Sequence, residues 1–126
     1  MGKNERKEIM ETLKTVPIKE DVSQGARMGL PQTDIGSGKT VSFMDSDGSM
    51  FYVAGGTTVS FSIELDRSAS VKMGYISNTE GWTQTYSGTS SSHNTSFKIS
   101  NTGYYRFYVT NTSSSVIRVT GGTISF

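Results

Sequence analysis

The chain has few groups that could do covalent chemistry. Its 126 residues contain one histidine, His93, eleven Asp and Glu, and no cysteine. A single imidazole can serve as a general base, and serines are plentiful, so a small hydrolase built on His93 and the carboxylates is one alternative reading. No serine, however, sits at a strand-to-helix elbow of the kind a hydrolase nucleophile occupies. His93 falls in the Ser/Thr-rich stretch 87–96, which reads as an exposed loop. One histidine without cysteine also speaks against zinc. Glu64 and Asp66 share a strand face, as do Asp45 and Asp47, and glycosidases work with carboxylates roughly 5–9 Å apart. Cleft-building loops are missing, which counts against that use. Asp45-Ser46-Asp47-Gly48 places two carboxylates around a tight turn, so Asp45 and Asp47 are the candidate calcium ligands. A calcium-binding helix-loop-helix needs a longer ligand series ending in Glu, and residue 56 is Gly. Asp and Gly are also what an ordinary turn requires. Gly38-Lys39-Thr40 resembles the end of a phosphate loop, but Thr33 stands where the first glycine belongs and a strand follows instead of a helix. The sequence supports no catalytic residue and no cofactor other than calcium.

The aromatic residues carry more information. There are six Tyr, six Phe and one Trp. Tyr105, Phe107 and Val109 alternate with Tyr104, Arg106 and Tyr108. If the first set faces a core, the second forms a Tyr-Arg-Tyr stripe on the other side. Rings with hydrogen-bonding tips can stack on sugars or anchor a protein interface. Trp82 and Tyr86 share a parity with Gln84 between them, so Trp82 belongs either to the core or to a platform of the same kind. The ligand-contact set is therefore Tyr104, Arg106, Tyr108, Trp82 and Tyr86. The competing reading is that Tyr104 and Tyr108 receive the N-terminal segment. Asn94-Thr95-Ser96 and Asn111-Thr112-Ser113 match the N-glycosylation pattern, as chance permits in so Asn- and Ser/Thr-rich a chain.

These residues must be positioned by strands. From residue 40 onward, alternating runs are broken by Gly, Asn, Asp or Ser-rich separators; Val59, Phe61, Ile63 and Leu65 against Ser60, Ser62 and Glu64 is the clearest case. A period of two marks a strand with one dry face. The pattern predicts strands near 40–44, 49–54, 58–65, 70–76, 81–87, 94–100, 104–110 and 115–120, with a short ninth at 123–126. Asp66-Arg67-Ser68, Gly88 through His93 and Asn101-Thr102-Gly103 are among the expected turns. Crossover helices are absent, so the fold class is all-β: an antiparallel β-sandwich of about eight strands, jelly-roll or immunoglobulin-like, with a closed barrel as the alternative. The expected core is Val41, Phe43, Phe51, Val53, Val59, Phe61, Ile63, Leu65, Val71, Met73, Tyr75, Trp82, Phe97, Ile99, Tyr105, Phe107, Val109, Ile117, Val119, Ile124 and Phe126.

The first 27 residues hold six of the twelve basic and five of the eleven acidic residues. Residues 4–15 read as a short helix capped by Asn4, with Ile9 and Leu13 on one face; Pro17 ends it. Residues 17–39 look like an irregular crossing, in which 20–24 could add an edge strand. The expected division is thus 1–39, helix and crossing, and 40–126, the β-sandwich domain.

Hydrophobic residues make up only 33%, and the 20 Ser and 16 Thr are expected to take the solvent-facing positions that Lys and Glu fill in many proteins. A formal net charge of +1 lacks the clustered Lys and Arg of a nucleic-acid binder. No apolar run is long enough for a transmembrane helix or a signal peptide. A secreted or cell-surface protein would be present here in its mature form, with Met1-Gly2 added to it.

The segment Asn101-Thr102-Gly103-Tyr104-Tyr105-Arg106-Phe107-Tyr108-Val109-Thr110-Asn111 resembles the late strand of small secreted bacterial β-sandwich accessory modules, including domains that follow secreted peptidases. That resemblance implies a non-catalytic, extracellular role. The leading reading is a binding module recognising a glycan or a protein surface. A self-associating structural, adhesin or toxin-like protein is the alternative, because Ser/Thr-lined strands can pair at open edges.

Overall fold

A computed structural model of the chain describes residues 14–17, 19–20, 27–44 and 48–126. Ten strands among them belong to one hydrogen-bonded sheet: β1 (Lys14–Pro17), β2 (Lys19–Glu20), β3 (Arg27–Gly29), β4 (Thr33–Ile35), β5 (Thr40–Met44), β6 (Phe51–Val53), β7 (Thr58–Ser77), β8 (Gly81–Lys98), β9 (Gly103–Asn111) and β10 (Ile117–Ser125). The β1–β5 pair is parallel and the other ladders are antiparallel. The fold is all-β.

Two long strands organise it. β7 pairs with β8 over nearly its whole length. On its other side, its first half meets β10 (Phe61 opposite Ile124) and its second half meets β9 (Tyr75 opposite Phe107). The sheet therefore wraps into two layers that share the β7–β8 hairpin. One layer adds β10 with β3, β4 and β2. The other adds β9 with β5, β6 and β1. Rings from the two layers meet inside: Phe43 lies edge-on to Phe61 at 6.2 Å and Phe61 lies 6.0 Å from Phe107. Alternation places them there, since every second residue of each strand faces the same way.

The core matches the expected set closely. Phe43, Phe61, Phe107, Ile63, Met73 and Ile99 are fully buried, and Tyr75, Phe97 and Phe126 pack against them. Leu30, Ile35 and Ala69 join the same cluster. Trp82 is the exception and lies on the outer face.

Three expected turns are not turns. Asp66-Arg67-Ser68 stays inside β7, where residues 65–68 are accommodated against Ser91 alone. This bulge bends the strand from one layer to the other. Asp66 Oδ1 accepts the Arg118 N–H at 3.0 Å, tying the bend to β10. Gly88 through His93 is likewise continuous strand in β8. The breaks expected after residues 65, 87 and 120 thus give way to long strands that bend. Gly121 and Gly122 lie within β10 at a register shift; Gly122 has φ +144°, and a Cβ there would stand 2.2 Å from the Ser62 carbonyl, so only glycine fits.

The described residues of 17–39 do not form an irregular crossing. They supply β2, β3 and β4, so the sheet runs across the expected boundary at residue 40. Lys14 and Thr15, at the end of the expected helix, are strand paired with β5. The rest of that helix, residues 4–13, lies outside the described residues, as do Asp45 and Asp47 with their calcium reading. Among the described residues no three His, Asp or Glu lie close enough to share a metal ion.

Candidate functional site

The outer face of the β9 layer is where the Tyr-Arg-Tyr stripe falls, and its three members end in three different situations. Tyr108 is only 5% exposed. It stands opposite Gly74 of β7, and a Cβ on Gly74 would be 2.9 Å from its ring and 2.0 Å from the Thr83 carbonyl. The tyrosine ring thus covers a glycine that the sheet requires to be bare, a known way to stabilise a strand glycine. Trp82 closes over it with ring centroids 4.9 Å apart at 61°. Burial pushes the Tyr108 phenol up to about 12. Tyr108 is therefore a support for Trp82, where a ligand contact was expected.

Arg106 comes next along the strand and is partly buried. Desolvation lowers its guanidinium pKa from the usual value. It lines a groove of about 320 Å³ together with Met50, Ile76, Trp82, Gly81 and the turn residues Ser77, Asn78 and Thr79. The turn is locally determined: Ser77 Oγ accepts the N–H groups of Thr79 and Glu80, both at 3.2 Å, and Gly81 provides the positive φ of +83°. The Asn78 N–H donates to the Tyr104 carbonyl at 3.1 Å, which fixes the turn against β9.

Tyr104 is 48% exposed and pairs with Tyr52, 61% exposed, on β6. Their rings lie 5.6 Å apart at 65°. They are directly opposite in the β6–β9 ladder. Tyr52 was not among the expected contacts. Its signal was present in the sequence, because Phe51 and Val53 face the core and leave Tyr52 outward. The exposed ring pair and the groove are neighbours through Asn78 and Tyr104.

Tyr86 does not join the stripe. The ladder pairs Gly74 with Gln84 but Met73 with Tyr86, so Thr85 is an extra residue that reverses the faces of β8. Tyr86 turns inward and its hydroxyl donates to His93 Nδ1 at 2.8 Å. His93 is 1% exposed, and its Nε2–H donates to the Ser90 carbonyl at 2.7 Å. The exposed-loop reading of His93 is overturned: the parity of Phe97 and Ile99 continues through Thr95 to His93 and turns it inward. Both ring nitrogens are thus bonded within the fold. Glu64 accepts from Ser92 Oγ at 2.9 Å, and Asp66 is engaged with Arg118 and Arg67.

Asn111, in one of the two glycosylation patterns, is fully buried. Its Nδ2 donates to the Ile35 and Ser115 carbonyls, and its Oδ1 accepts from Ser113 N–H and Oγ. It holds together β9, β4 and the turn before β10, and is closed to modification. Asn94 is exposed. Tyr105, on the inner face of β9, bonds through its hydroxyl to the Asn101 carbonyl four residues back, an arrangement like the tyrosine corner of β-sandwiches.

No protein-family model and no curated protein matches the sequence. Among solved structures the fold is similar to PliG of Aeromonas hydrophila, a periplasmic inhibitor of g-type lysozyme, at 13% identity, with a TM-score of 0.56 over 90% of this chain and 96% of that one. Looser likenesses are BiXyn10A CBM1 (11% identity, TM-score 0.49, 86% of this chain and 79% of that one) and the pre-peptidase C-terminal domain of a collagenase from Bacillus anthracis (11%, 0.46, 86% and 93%). The first likeness shows a shared fold; the other two are too loose to add to it.

Proposed function

We propose that the protein is a non-catalytic extracellular binding module that engages a glycan through Tyr52, Tyr104 and the groove beside Trp82. The observation that carries this reading is the exposed tyrosine pair adjoining a groove that combines an indole with the side chains of Ser77, Asn78 and Thr79. A sugar offers a polar rim and an apolar face. Aromatic rings match the face, and amide and hydroxyl groups match the rim. The surface is built in advance, since Trp82 rests on Tyr108 and the turn is bonded to β9, which limits the ordering cost of binding. Within this reading Arg106 lines the groove, while Tyr108 and Tyr86 hold the framework.

A glycan array followed by titration calorimetry tests the proposal. Binding that is lost in both Tyr52→Ala and Tyr104→Ala, with Trp82 fluorescence changing on saturation in the wild type, supports it. Capture of a protein instead, abolished by the same substitutions, would move the assignment to a protein ligand at the same surface. Glycan binding that survives both substitutions would refute the site.

A further inference from the structure

β8 is an edge of unusual length. Its 18 residues pair only with β7 among the described residues, so its other side runs unpaired past both layers for about 60 Å of contour. Of these residues only His93 and Thr95 are buried. Natural sheets guard their edges with charge, proline or shortness. The opposite edges follow that rule: β1 has four residues including Lys14 and Pro17, and β2 has two, Lys19 and Glu20. β8 does not. From Gly81 to Phe97 it has no Lys, Arg, Asp, Glu or Pro, and nine of its 18 residues are Ser or Thr. Such a strand offers backbone donors and acceptors with small hydroxyl side chains and nothing to repel a neighbour.

We infer that the β8 edge pairs with the β8 edge of a second copy of this chain, forming a two-fold dimer with an antiparallel sheet continuous across the interface. A second copy is the occupant the edge fits because an antiparallel strand is complementary to itself about a two-fold axis. Its terminal charges fit as well. A pairing centred on Thr89 places Lys98 opposite Glu80 of the partner subunit, and the reverse, so the charges that bracket the strand attract at both ends. The tyrosine pair lies on β6 and β9; Gly81 and Trp82 of the groove begin β8, but the pairing rests on the unpaired backbone of the edge and is read without any ligand, so this inference does not depend on the proposed function.

The experiment is light scattering on size-exclusion fractions over a wide protein concentration range. The wild type should shift from monomer to dimer in the micromolar range. Thr89 is exposed, and at the two-fold axis it meets itself. Thr89→Lys and Thr89→Glu should each be monomeric with unchanged circular dichroism, and an equimolar mixture of the two should dimerise. Hydrogen exchange on the wild type gives a readout independent of the variants: amides of residues 84–94 should gain protection as concentration rises. A wild type that stays monomeric at millimolar concentration, or variants that dimerise as it does, would overturn the dimer. Exchange in β8 that ignores concentration would do so too. A mixture that fails to pair would overturn the register centred on Thr89.

Discussion

The two faces of β9 are made from adjacent residues of one strand, yet they do different work. Tyr105, Phe107 and Val109 face inward and are all but inaccessible, as part of a core to which both layers contribute. Tyr104, Arg106 and Tyr108 face outward, and their exposure falls from nearly half at Tyr104 to almost none at Tyr108. The inner face is uniform because sheet-on-sheet packing buries every residue on it. The outer face is graded because, among the described residues, Trp82 stacks edge-on against Tyr108 and no ring does the same for Tyr104 except exposed Tyr52. An aromatic residue on a sheet's outer side is thus not a ligand contact by position alone. It becomes available where no neighbouring ring folds over it, and among the described residues of this face that leaves Tyr104 with Tyr52; the N-terminal segment expected as a competing cover lies largely outside the described residues.

The largest expected effects lie on the inner face. Phe107→Ala and Phe61→Ala should each cost about 3–5 kcal/mol by leaving a cavity between the layers, read from urea denaturation midpoints. A loss under 1 kcal/mol in both would mean that the layers do not meet there. Next is Asn111→Ala, which removes a buried amide's bonds to the Ile35 and Ser115 carbonyls and to the Ser113 N–H; about 2–3 kcal/mol should be lost in the same assay.

Tyr108 separates the faces by pH. Its folded pKa, about 12, lies above the usual 10.0, so the folded state holds its proton more tightly than the unfolded chain does. The associated stability is complete below pH 10 and is lost as pH rises towards 12. Tyr105 is also raised, by burial first and then by Glu80 and Tyr75, and acts in the same direction. Tyr108→Phe should therefore flatten, without abolishing, the alkaline fall in stability measured by denaturation at stepped pH. An unchanged slope would show Tyr108 to be wetter than its place under Trp82 implies. The smallest stability effect belongs to the exposed pair: Tyr52→Ala and Tyr104→Ala should change it by less than about 0.5 kcal/mol while weakening ligand binding about tenfold or more. A large loss of stability in either would make that pair structural like Tyr108.

The sequence made the inner face legible because burial imposes a period of two, and Phe43, Phe61 and Phe107 follow it without interruption. The outer face was only partly legible. Tyr104 and Arg106 follow from the same alternation, but nothing local tells that Trp82 closes on Tyr108. Tyr86 departs from the expected face because one extra residue, Thr85, reverses the parity, and a bulge has no composition of its own. The Ser and Thr around His93 suggest exposure, but its parity with Phe97 and Ile99 is the better guide. The stretches 66–68, 88–93 and 121–122 have turn-like compositions, yet a bend within a strand asks for much the same residues as a turn between strands.

The shared hairpin also limits how this domain can be divided. Because β7 and β8 pass through both layers, neither layer keeps a complete set of strands without the other. No half of it can be excised as a smaller scaffold, and loosening at the Glu64–Ala69 bend reaches the tyrosine-bearing surface and the far layer together. Heat or denaturant should therefore melt the whole in one step, with the ligand surface vanishing at the same midpoint as the core.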